Sequence, residues 1–83
     1  MIQSARTAKQ IGAIVRRARR NAGLTQAALA ERTGLRQATI SRLEKGEDET
    51  NLSTLLDILS ALGLEIVIDK RGRVSHERLE DLF

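Results

Sequence analysis

The chain has 83 residues, a net charge of +3, no Cys, one His and a single aromatic residue, Phe83. That is one small domain without a disulfide frame, a thiolate nucleophile or the histidines of a metal site. A core this size is marginal, so part of the stability is expected from a partner chain. No apolar run approaches the length of a membrane span and no signal-peptide core opens the sequence, which predicts a soluble, cytoplasmic protein with no membrane partner.

The charge is polarised along the chain. Residues 1–46 carry ten Lys/Arg against Glu31 and Glu44, a balance of +8, while residues 47–83 carry four against nine, a balance of −5. Such a field steers one face toward a polyanion and holds the other away. For a folded basic face, nucleic acid is the obvious polyanion.

In chain order, residues 1–6 read as a flexible lead, residues 7–69 as the folded domain and residues 70–83 as a tail. Thr7-Ala8-Lys9-Gln10 fits a capping box, with Gln10 reaching back to the cap of a helix that runs to about Asn21. Ile11, Ile14, Val15 and Ala18 form its apolar stripe. Arg16, Arg17, Arg19 and Arg20 cover its other faces, as a solvated match to the helix dipole or as phosphate contacts.

Thr25 caps a second helix over Gln26–Arg32, and Thr33-Gly34 stops it. A third helix follows over about Gln37–Glu44. Leu24, Leu29 and Ala30 on one side and Leu35, Ile40 and Leu43 on the other suit two crossed helices, with Ala27 and Ala30 small enough to bring them close. The third helix leaves Arg36, Gln37, Thr39, Ser41 and Arg42 without a core role. Its outer face is therefore made of hydrogen-bonding side chains.

Glu47-Asp48-Glu49 forms an acidic loop. Thr50 or Asn51 caps a fourth helix, Leu52–Leu62, whose buried stripe is Leu52, Leu55, Leu56, Leu59 and Leu62, widened by Ile58. That is more apolar surface than one face of a small bundle needs, and a dimer contact is one use for the excess. After Gly63, the β-branched run Leu64–Asp69 reads as a strand. Its one local partner is Arg73-Val74-Ser75. Pairing with the same strand of a second subunit is self-complementary and satisfies its backbone better, so Leu64, Ile66, Val67 and Ile68 are expected at a homodimer contact.

The segments Leu24-Thr25-Gln26, Leu29-Ala30, Thr33-Gly34-Leu35 and Ile40-Ser41-Arg42-Leu43-Glu44 resemble the helix-turn-helix of the phage-repressor-like (XRE) family. With the leucine-rich helix, the terminal strand and RQATISRLEKG on the third helix, the chain is similar to the HipB-type antitoxins. The resemblance implies a mainly α, lambda-repressor-like bundle of four helices with a short C-terminal β-strand pairing across a dimer. It further implies a repressor of its own gene pair that binds operator DNA and a HipA-type serine/threonine kinase toxin, and that is nucleoid-associated when DNA-bound. The alternatives are a stand-alone XRE-type regulator without a toxin, or an interaction module that has lost DNA binding.

Groove chemistry assigns the roles. Gln37 opens the third helix, where glutamine can bond adenine N6 and N7; Ala38 and Thr39 offer methyl groups to thymine, and Ser41 and Arg42 reach bases or backbone. Gln26, Arg36, Arg17 and Lys45 are the expected phosphate contacts. No nucleophile–base pair, phosphate-cradling loop or metal cluster is present, so neither an enzyme nor a cofactor is expected. The tail, Ser75–Phe83, gathers Leu79, Leu82 and Phe83 on one side of a short helical pattern, an expected anchor for a partner protein if not a loose end.

Overall fold

The computed structural model describes residues 2–47 and 49–71. Within them lie α1 (Ala8–Asn21), α2 (Gln26–Thr33), α3 (Gln37–Lys45) and α4 (Leu52–Ala61), each within a residue of its expected ends. The caps explain the agreement. Thr7 Oγ1 accepts from Gln10 N at 3.1 Å, Thr25 Oγ1 from Ala28 N at 3.0 Å, and Asn51 Oδ1 from Thr54 N at 2.8 Å. Each satisfies an N–H that the first helical turn leaves without a partner. Gln10 departs from the expected capping box: its side-chain oxygen accepts from the backbone N–H of Arg6, one residue ahead of the cap. Gly34, at φ +70°, adopts the left-handed conformation that turns α2 into α3.

The core joins Val15 of α1, Leu29 and Ala30 of α2, Ile40 and Leu43 of α3, and Ile58 and Leu59 of α4. Val15, Leu29, Ile40 and Ile58 are fully buried, each contributing about 1.5–3 kcal/mol of apolar transfer. On α4 the expected stripe is rotated. Ile58 and Leu59 form its buried centre, while Leu52 and Leu56 are 66 % and 44 % exposed. Of the two alanines expected between α2 and α3, Ala30 is buried and Ala27 is exposed.

The closest approach is between α1 and α3, and glycine permits it. A Cβ on Gly12 would stand 2.6 Å from the carbonyl oxygen of Glu44 and closer still to that of Leu43. At the other end of the crossing, Gly46 ends α3 at φ +68°, and a Cβ there would meet Lys9 Cα at 2.6 Å. Both contacts are with backbone, which has no rotamer to yield.

Among the described residues no strand ladder forms in the single chain, and residues 64–70 carry no regular secondary structure. Leu64 N donates to Leu59 O at 2.8 Å and Leu64 packs on the core, whereas Ile68 is 91 % exposed. The alternative local partner, Arg73–Ser75, and the tail residues Leu79, Leu82 and Phe83 lie outside the described residues. No described helix is long and apolar enough to cross a membrane.

Gly12→Ala tests the α1–α3 crossing by the sign of its effect. In an ordinary helix interior, Gly→Ala stabilises by about 1 kcal/mol. Here the methyl group must push two backbones apart, so a loss of about 1–3 kcal/mol is expected in thermal unfolding. A gain in Tm would show that the helices are not in backbone contact.

Candidate nucleic-acid interface

Helix α3 has two faces of opposite character. Ile40, Leu43 and Glu44 are buried, while Gln37, Ala38, Arg42 and Lys45 are exposed and Ser41 is half-buried beside them. Ala38, Ser41, Arg42 and Lys45 recur at i, i+3, i+4 and i+7, so they form one stripe. Gln37 stands at its N-terminal end, and Arg36 precedes the helix as an exposed N-cap residue without a side-chain cap bond. Thr39 is half-buried on the flank of this face. An exposed stripe of amide, hydroxyl, methyl and guanidinium groups on a nine-residue helix is suited to the floor of a major groove.

The orientation of α3 depends on a buried charged pair between α1 and α3. Arg19, expected with its neighbours on the surface of α1, is buried. Its Nε and Nη2 donate to the Glu44 carboxylate at 2.6 and 3.0 Å, and its Nη1 donates to Leu24 O at 2.7 Å. Glu44 Oε1 accepts in addition from Gln26 Nε2 at 3.2 Å. One carboxylate thereby joins α1, the first residue of α2 and the inner face of α3. No buried side-chain polar atom among the described residues lacks a partner. The hydrogen bond from Glu44 raises the Arg19 pKa, burial opposes it, and the Coulombic attraction of Glu44 adds to the rise. A raised pKa means that the stabilisation is complete below the ordinary guanidinium range and is lost only as pH climbs through the raised value. Arg19 therefore contributes no pH dependence near neutrality.

The same pair changes the surface electrostatics. With Arg19 and Glu44 paired inside, residues 1–46 expose nine cations and one carboxylate, Glu31. Gln26, expected at a phosphate, is half-buried and engaged with Glu44. One amide proton and its oxygen are left for an outside ligand, and the bond to Glu44 holds the side chain at the start of α2. Arg17 and Lys45 are exposed on the walls of one open cleft between α1 and the end of α3. The signal that would have found the ion pair was available. Arg19 follows Val15 at i+4, on the apolar side of α1, and Glu44 follows Ile40 at i+4 on α3.

A family model described as helix-turn-helix matches residues 15–68, which contain the whole of α2, α3 and α4. The antitoxin HipB of Escherichia coli K12 is 35 % identical over 71 residues, covering 86 % of this chain and 81 % of the relative. The chain belongs to the HipB-like helix-turn-helix family. A solved HipB-O4 20mer complex superposes at a TM-score of 0.77 with 32 % identity, covering 86 % of this chain and all of the matched one. A HipA-HipB-O2-O3 complex gives the same TM-score, identity and coverage. The family model thus runs from the middle of α1 into the segment after α4.

Breaking the ion pair on one side should cost far more than replacing it whole. Glu44→Gln leaves a buried guanidinium without its counter-charge and should destabilise the protein by about 3–5 kcal/mol in urea unfolding. The double variant Arg19→Met/Glu44→Leu should recover most of that loss. Equal losses in both would show that the pair is held by packing alone.

Proposed function

We propose that the chain is a sequence-specific DNA-binding repressor of the HipB antitoxin type, acting as a homodimer on operator DNA. The observation that carries this is the exposed polar stripe of α3, held from behind by Glu44 on a surface where residues 1–46 expose nine cations against one carboxylate. In this reading α3 enters the major groove, Gln37, Ala38, Thr39, Ser41 and Arg42 face base edges, and Gln26, Arg36, Arg17 and Lys45 face phosphates. No enzymatic step and no cofactor enter the mechanism.

Dimerisation follows from what the single chain leaves exposed. Ile66 and Ile68 project from a segment with no ladder of its own, and Leu64, Val67 and these two isoleucines supply an apolar, self-complementary edge for a second copy. Two α3 helices related by a two-fold axis read half-sites about one helical turn apart, or a multiple of it, so the operator is a palindrome. Family membership and the HipA-HipB complex support a second partner, a HipA-type kinase toxin, with Leu79, Leu82 and Phe83 of the tail as the candidate anchor. On this reading the protein works in the cytoplasm, on the nucleoid when bound.

Gln37→Ala should lower operator affinity by about 1–3 kcal/mol and relax the preference at one base pair. Fluorescence anisotropy on matched and randomised duplexes measures both. An equal loss on the two duplexes would remove Gln37 from base recognition.

Val67→Pro removes a backbone donor from the proposed intersubunit ladder and should shift sedimentation toward monomer. An unchanged dimer would place the contact elsewhere, with exposed Leu52 and Leu56 of α4 the next candidate.

A further inference from the structure

Beside the recognition stripe lies an open cleft of about 890 Å³, walled by α1 on one side and by the C-terminal end of α3 on the other. Its α1 wall is a single row. Lys9, Ala13, Arg16 and Arg20 recur at i, i+4, i+7 and i+11, with Arg17 on the flank. All five are exposed. The row is about 16 Å long at the helical rise per residue. The small Ala13 leaves room between the cations, and the backbone contact of Gly46 with Lys9 closes one end. Lys45 supplies the opposite wall and is also the last residue of the α3 stripe. The cleft is therefore continuous with the face assigned to DNA. Two carboxylates line it. Glu44 is already paired with Arg19, and Glu47 is exposed beyond the end of α3.

A row of three cations along one helix, with Arg17 on its flank, exceeds what the helix dipole asks for, since that effect is confined to the last turn. Lys9 stands at the opposite end of α1, where the dipole disfavours a cation. The spacing instead suits a polyanion with regular charge. DNA advances about 3.4 Å per phosphate along each strand, so a 16 Å row faces several phosphates of a duplex laid along it. We infer that this cleft binds the phosphate backbone of DNA flanking the half-site read by α3, through Lys9, Arg16, Arg20 and Lys45. The inference rests on the DNA-binding reading above and adds to it a second, sequence-independent contact. Its consequence is a footprint longer than the bases that α3 reads, with a large share of the salt dependence residing in α1.

The test uses the full-length protein and a duplex that it selects from a randomised library. That duplex is cut at the outer edges of the half-sites, or extended by a helical turn of arbitrary sequence on either side. The wild type should bind the extended duplex more tightly. The variant Lys9→Gln/Arg16→Gln/Arg20→Gln should lose that gain while keeping its base preferences. Its salt slope should fall by about 0.9 for each phosphate contact removed, in both subunits. Arg20→Gln alone should give a proportionate part of the change, which guards against a folding defect in the triple variant. An unaltered gain and slope would overturn the inference, as would loss of binding to a protein partner with DNA binding intact. If the wild type selects no duplex at all, the DNA-binding reading itself fails, and that outcome is separate from either of these.

Discussion

A single buried carboxylate organises this molecule. Glu44 takes two hydrogen bonds from the Arg19 guanidinium and a third from the Gln26 amide, and Arg19 spends a further donor on the carbonyl of Leu24. Helix α1, the loop before α2, the first residue of α2 and the inner face of α3 are thereby fixed to one point. Desolvating two charges is costly, so such a pair is weak grounds for stability as such. What it supplies is geometry. A forked donor against a carboxylate admits one arrangement, whereas an apolar contact between short helices tolerates several. A helix of nine residues that presents side chains to a groove needs that restriction.

The pair works only because the helices beside it are close. Gly12 lets α1 lie on the carbonyls of Leu43 and Glu44, next to the carboxylate itself, and Gly46 lets the end of α3 meet the start of α1. Core residues Val15, Ile40 and Leu43 fill the rest of that seam. Burial of the Arg19–Glu44 pair has a second effect at the surface. Removing Glu44 from solvent leaves Glu31 as the only exposed carboxylate among the first 46 residues, so their surface is strongly biased toward positive charge. Packing and electrostatic steering thus have a common origin.

The helices were legible in the sequence because their signals are local. Thr7, Thr25 and Asn51 are caps whose bonds lie three residues away, and Gly34 marks a turn through its own backbone. The candidate interface was legible for a related reason: polar residues on α3 with no core role must face outward. What escaped was long-range. Arg19 and Glu44 are 25 residues apart, and among four arginines in five positions nothing but helical phase distinguishes Arg19. Gly12 reads as a neutral residue in a helix until the facing carbonyls are in place. On α4, seven apolar residues in a run of eleven leave the phase of the stripe underdetermined, so the pattern alone does not distinguish exposed Leu52 and Leu56 from Ile58 and Leu59 at the buried centre. The segment after Gly63 is different again. Its β-branched composition suits a strand, but a strand is a relation between two chains or two segments, and the single chain among its described residues contains only one side of it.

The central claim is that α3, held from behind by Glu44, is the surface that meets DNA. Backbone amide NMR of the labelled protein titrated with its selected palindromic duplex addresses this residue by residue. The largest shifts should fall on Gln26, on Arg36 through Arg42 and on Lys45, with a second set along the outer face of α1 and little change in α4. Shifts centred on Leu52, Leu56 and residues 64–68, with α3 silent, would contradict it.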